Sequence, residues 1–143
     1  MHGHFDPNDL IAIVASEDGK RSSDAAFALA RAECIEAVPV LRRVLSSTDD
    51  SRIRNACAIA LSDLRDEGCV ELIARLLRDP RTAGHRGSLV YALENFDSRP
   101  LFSLLVEIAA MDGFEARHEA FGLLCAIEGD IDPAVLGDAK IVA

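Results

Sequence analysis

Asn55-Ala-Cys-Ala-Ile-Ala-Leu-Ser-Asp-Leu64 lines up with Gly87-Ser-Leu-Val-Tyr-Ala-Leu-Glu-Asn-Phe96, 32 residues further along the chain. The same shift carries Val70 onto Phe102, Ile73 onto Leu105 and Leu76 onto Ile108. In the other direction it places Ala28-Leu29 under Ala60-Leu61, Val38 under Val70 and Leu45 under Leu77. A fixed period of this size marks a stacked array, because one unit alone cannot bury its apolar face. The recurrence therefore predicts an α-solenoid.

The units outward from this core follow helix rules. Asp6 to Glu17 reads as a first helix, with Pro7 near its start and Leu10, Ile13 and Val14 at helical spacing. Asp18-Gly-Lys-Arg21 reads as its stop, with Gly19 offering a left-handed cap, and Ser23-Asp24 as the start of the next helix. Further helices are expected over about 35–45, 51–64, 68–77, 85–95, 99–110 and 114–127. In the last unit the period shortens by one, so that Arg86 falls on Arg117 and Leu93 on Leu124. Asp132-Pro-Ala-Val-Leu136 reads as a short partner helix, and Val135, Leu136 and Ile141, or another subunit, are expected to cover Leu123, Leu124 and Ile127. The expectation is one domain over 1–143, with a capping helix at 6–18 and units at about 22–50, 51–81, 82–112 and 113–138.

Composition narrows the function. Half of the 143 residues are hydrophobic, mostly small or aliphatic, with six Phe, one Tyr and no Trp. Such side chains suit close helix packing and leave few platforms for stacking bases. The formal net charge of −9 argues against a nucleic-acid binder, which needs basic surface to displace counterions. No apolar stretch is long enough for a membrane span, and Met1-His-Gly-His4 does not open a signal peptide, so the expected location is the cytoplasm. Cys34, Cys57, Cys69 and Cys125 have no CxxC spacing and read as core thiols rather than a disulfide framework.

Arg54-Asn-Ala-Cys-Ala-Ile-Ala-Leu-Ser-Asp-Leu64, followed by Asp66, Val70, Ile73, Leu76-Leu77 and Asp79-Pro80, resembles bacterial HEAT-like repeats of the short kind first noted in phycobilin lyase subunits. The resemblance covers about Ser22 to Ile127 and is strongest in the second unit. It implies a right-handed all-α superhelix of about four helical hairpins, whose second helices line a concave surface. Similar proteins are mostly protein-binding adaptors, with chromophore lyase chaperones, immunity proteins and nucleic-acid binders among them, so the fold alone fixes no single function.

Three groups of residues are candidate sites. On the second helices, the positions outside the repeated apolar set form ladders: Pro39, Glu71, Ser103; Arg42, Ala74, Val106; Arg43, Arg75, Glu107. Arg78 extends them. On the implied concave face, Arg42, Arg43, Arg75 and Arg78 form a basic patch fit for carboxylates, with Glu71 and Glu107 fixing register. Their plainer role is to offset helix dipoles near C-termini.

The turns within hairpins carry Asp63, Asp66 and Glu67, then Glu94 and Asp97, flanked by Glu33, Glu36, Glu128, Asp130 and Asp132. Stacking brings these turns to about 10 Å from one another, giving an acidic edge that suits a basic partner. The plainer reading is a set of solvated turns.

Ala116-Arg-His-Glu-Ala-Phe-Gly122 resembles the His-Glu motif of HEAT-type deoxyhypusine hydroxylases, where such pairs at successive helix starts hold two irons. Here the equivalent positions are Asn55-Ala56 and Gly87-Ser88, which cannot ligate, so His118 and Glu119 alone make a weak metal candidate. His2 and His4 are a weaker pair still. No nucleophile elbow, phosphate loop or HExxH occurs.

The expectation is a non-enzymatic module that binds another protein on its second-helix face and needs no cofactor. Alternatives are an immunity or inhibitor protein that masks a basic partner with the acidic edge and, further off, a lyase-type or metal-dependent hydroxylase-like enzyme.

Overall fold

A computed structural model describes residues 6–127. Among the described residues there are eight α-helices and no strand. The expected short helix at 132–136, the cover from Val135, Leu136 and Ile141, the acidic residues 128, 130 and 132, and the histidines at 2 and 4 lie outside them.

In chain order the helices are α1 (Pro7–Ser16), α2 (Gly19–Arg31), α3 (Val38–Ser47), α4 (Ser51–Asp63), α5 (Gly68–Leu77), α6 (Gly87–Ala92), α7 (Phe102–Met111) and α8 (Phe114–Ile127). They stack in rows. Helix α2 packs on α4, α4 on α6 and α6 on α8, while α1 packs on α3 and α3 on α5. The fold is an all-α solenoid of helical hairpins.

Local chemistry sets the boundaries. Asp6 caps α1 by accepting from the Asn8 N–H at 2.9 Å, and Asp50 caps α4 by accepting from the Arg52 N–H at 2.9 Å. The turns within the first two hairpins share one geometry. Glu33 and Arg65, 32 residues apart, both hold positive φ (54° and 59°). Their N–H groups reach the Ala30 and Ser62 carbonyls, and the next N–H groups, of Cys34 and Asp66, reach back to Leu29 and Leu61. This is a left-handed helix stop repeated in register with the sequence.

Several boundaries differ from the sequence expectation. Helix α1 ends where expected, but its left-handed cap is Glu17 (φ 52°), whose N–H donates to the Val14 carbonyl, while Gly19, also at positive φ (40°), opens the next helix. Helix α2 then begins at Gly19, ahead of the expected start at Ser23. The helix expected over 85–95 is shorter. The His85 N–H is held by the Thr82 carbonyl in a turn, α6 starts only at Gly87, and Leu93–Asn95 tightens into a 3₁₀ turn. Asn95 there donates its side-chain amide to the Ser62 hydroxyl at 2.9 Å, tying the end of α6 to the end of α4.

Position 97, one period after Arg65, is not left-handed, and Phe96 is extended instead. The third hairpin therefore turns by another route. Helix α7 makes its main contact with α8 and little with α5, so the second-helix row is continuous only through α1, α3 and α5.

The core is a continuous aliphatic cluster. Leu29, Leu61 and Leu93, spaced by 32, are each at most 1 % exposed, and so are Ile53, Leu89 and Leu105. Cys34, Cys57 and Cys69 are buried free thiols, as expected of core cysteines, whereas Cys125 is exposed on α8.

A buried polar position also repeats. Ser22, Arg54 and Arg86 lie 32 apart at the starts of the first helices. The Ser22 hydroxyl donates to the Ile13 carbonyl and accepts from the Asp18 N–H, both at 2.7 Å. Arg54, 2 % exposed, donates from Nη2 to the Thr48 carbonyl at 3.0 Å. Arg86 donates to the Asp79 carbonyl, the Thr82 hydroxyl and the Asp112 carboxylate at 2.9, 2.8 and 3.0 Å. Each ties its hairpin to the backbone of the preceding one, where carbonyls at a helix end lack partners.

Candidate functional site

The outward faces of α3 and α5 carry the first candidate set. Their inward positions are buried apolar residues: Val40, Leu41, Val44 and Leu45 on α3, and Ile73, Leu76 and Leu77 on α5. Helical spacing leaves Arg42, Arg43, Glu71, Arg75 and Arg78 exposed on the other side. Ala74, expected among the outward ladders, is 6 % exposed and belongs to the core.

Arg42 is not a free cation. Its Nε donates to Asp66 Oδ2 at 2.8 Å and its Nη2 to Oδ1, a bidentate fork from α3 to the turn before α5. The Asp66 hydrogen bonds and charge hold the Arg42 guanidinium above its ordinary pKa. Gly68 makes room for this arrangement, since a Cβ there would collide with the Arg42 guanidinium. One ion pair thus joins the two surfaces that the sequence treats as alternatives.

Arg75 bonds Glu71 one turn away at 3.4 Å, with both side chains 71 % exposed. Such an exposed pair opens readily. Arg43 and Arg78 have no ionic partner among the described residues. Glu107 is exposed on α7, away from the α3–α5 pair, because α7 leaves the row. Arg43, Glu71, Arg75 and Arg78 therefore stand exposed on α3 and on α5 with its C-terminal end, Asp66 engages Arg42, and Glu107 lies on α7.

The acidic edge is likewise thinner than the sequence suggests. The Asp66 side chain is only 10 % exposed, under Arg42. Asp97 accepts from Arg99 Nε and Nη2 at 2.9 Å, and this side-chain pairing, with the Arg99 N–H, holds its carboxyl below the ordinary aspartate value. Asp63, Glu67 and Glu94 remain exposed without an ionic partner among the described residues.

Between hairpins, on the opposite edge, charges are internally matched. Arg81 pairs with Asp79 at 2.9 Å and Asp49 at 3.2 Å. Burial, and then the nearby Arg81 charge, lower the pKa of Arg54.

The sequence missed one feature. Asn55, Gly87 and the neighbourhood of His118 occupy matching places on α4, α6 and α8, and Gly87 contributes no side chain. A crevice of about 350 Å³ opens there between the starts of α6 and α8, with Asn55 in its lining. An adjoining groove of about 320 Å³ shares Gly87, Ser88, Phe114 and Glu115 with it and runs out past Tyr91 to His118 and Glu119. Phe114 is 83 % exposed and Tyr91 46 %, and the Phe114 ring lies parallel to His118, centroids 6.4 Å apart. A Cβ on Gly87 would sit 2.9 Å from Glu115 Cβ, so only glycine permits this approach. The signal was present as the unlike pair Asn55 and Gly87 at one repeat position, but only stacking shows that the glycine admits Glu115 from α8.

His118 and Glu119 thus face Gly87, Ser88 and Tyr91 rather than a second His-Glu pair. Among the described residues no three His, Cys, Asp or Glu side chains gather as metal ligands. No helix there is long and apolar enough to cross a membrane.

Stacked helical hairpins, anchored at successive junctions by Ser22, Arg54 and Arg86, define the class as an α-solenoid repeat protein. A family model for HEAT repeats matches residues 7–94, more than half of the chain, which therefore belongs to the HEAT-repeat family. No curated protein and no solved structure matches it. HEAT repeats are in general protein-interaction modules.

Proposed function

We propose that the protein is a non-enzymatic interaction module that binds an acidic surface of another protein on the outward face of α3 and α5. The observation that carries this reading is the grouping of Arg43, Arg75 and Arg78 on two packed helices. All three are exposed, within a chain whose net charge is −9. Arg43 and Arg78 have carboxylate-binding forks unused, and Arg75 can exchange its exposed Glu71 partner for a better one. The helices are fixed by their apolar sides, so the face is pre-formed and binding orders little beyond side chains.

The acidic edge is the weaker surface because Asp66 and Asp97 are already neutralised by Arg42 and Arg99. The test compares two charge-altered variants against the same partner. Arg43→Glu with Arg75→Glu should abolish binding, while Asp63→Asn with Glu67→Gln should leave it intact, with helicity unchanged in both. The opposite pattern would reject the α3–α5 face and favour an inhibitor that masks a basic partner.

A further inference from the structure

We infer that the crevice between α6 and α8 is a receptor for a single arginine side chain presented by a partner protein. This site lies on the first-helix row, apart from the α3–α5 face, and does not depend on it.

Charge gives the sign of the ligand. Glu115 and Glu119 are successive turns of α8, so their side chains lie on one helix face. Both line the groove, and neither has an ionic partner among the described residues. Arg86, which lines the crevice, is committed to Asp112 at 3.0 Å, with both side chains largely buried. The open charge at the groove is therefore two carboxylates.

Hydrogen bonding gives the same sign. Asn55 lines the crevice, and its side-chain oxygen is buried without a donor. A buried acceptor without a partner is costly, and a ligand that donates relieves it. Shape narrows the choice to a planar cation. Tyr91 and Phe114 flank the groove with largely solvent-exposed rings, and guanidinium groups stack on such faces. An arginine presents a plane to the rings and five donors to the carboxylates. Gly87 lets Glu115 close on the start of α6 and so sets one carboxylate at the groove.

The test uses nuclear magnetic resonance of the full-length, ¹⁵N-labelled protein with N-acetyl-argininamide as probe. N-acetyl-citrullinamide, its neutral isostere, and free arginine serve as comparisons. The argininamide should shift the Gly87, Ser88, Glu115 and Glu119 amides saturably, with citrullinamide at least about tenfold weaker. Free arginine should bind no more tightly than the blocked amide, because its carboxylate would meet the Glu115 and Glu119 charges. Glu115→Gln with Glu119→Gln should weaken the argininamide by a similar factor at unchanged helicity. Equal binding of citrullinamide, shifts centred instead on Asp63, Glu67 and Glu94, or tighter binding of free arginine would each overturn the proposal. Arg43→Glu with Arg75→Glu should leave the titration unaltered, which separates this site from the α3–α5 face.

Discussion

Replacing Arg54 separates packing from charge at a hairpin junction. The side chain is 2 % exposed, yet carries a full charge with one hydrogen bond, to the Thr48 carbonyl at 3.0 Å, and its Nε has none. Arg81 adds like charge nearby, against Asp49, Asp79 and Asp50. Arg54→Met keeps most of the stem and removes the charge. The lost charge-assisted bond is worth about 1.5–3 kcal/mol. Relief of ion desolvation, of order several kcal/mol, opposes it. The two nearly cancel, so unfolding free energy should change by less than about 1 kcal/mol. Arg54→Ala also loses the stem methylenes, at about 0.8 kcal/mol each, and leaves a cavity, for a total loss of about 2–4 kcal/mol. Urea unfolding followed by circular dichroism at 222 nm reads both. If Met costs as much as Ala, the guanidinium bond and not stem packing holds the junction, and the reasoning fails.

Other expectations follow from the same geometry. Burial pushes the Cys57 and Cys69 thiols up to about 12, while Cys125 is exposed. At pH 8 a maleimide should label Cys125 quickly and reach Cys57 and Cys69 only on unfolding, as mass spectrometry of the digested protein would show. Because folded Cys57 and Cys69 keep their protons when unfolded thiols have lost theirs, stability should fall as pH rises from about 9 towards 12. Asp79 is held below its ordinary value by the Arg81 N–H and guanidinium, and Asp97 by Arg99. Their contribution is present above about pH 4 and lost as pH falls through the lower folded values, so Asp79→Asn should flatten acid unfolding below that point. Gly68→Ala should displace the Arg42 guanidinium from Asp66, seen as a change in the Arg42 Nε resonance. Stability should change by less than about 1 kcal/mol, because a better helix former offsets a partly exposed ion pair.

Much of the fold was legible because the period is carried by large aliphatic residues. Leu29, Leu61 and Leu93 mark it, and helices α4, α5 and α8 lie where spacing and turn residues place them. The unread parts depend on backbone conformations that side-chain type does not announce. Glu17, Glu33 and Arg65 adopt left-handed φ without being glycine, and position 97 does not follow them. That one difference moves α7, and Glu107 with it, off the expected face. Helical spacing told which candidate residues are exposed but not how they pair. Arg42 and Asp66 were both picked out, on separate surfaces, because their union depends on a 24-residue reach across the hairpin junction. The α6–α8 crevice was invisible for a related reason: its lining comes from α4, α6 and α8, which only stacking brings together.

Methyl nuclear Overhauser effects among Leu29, Leu61 and Leu93 test the stacking most directly. Helices α2, α4 and α6 should follow one another at about 8–10 Å per step. Cross-peaks are predicted from Leu29 to Leu61 and from Leu61 to Leu93, with none from Leu29 to Leu93. A strong Leu29 to Leu93 cross-peak would mean a closed bundle and contradict the solenoid.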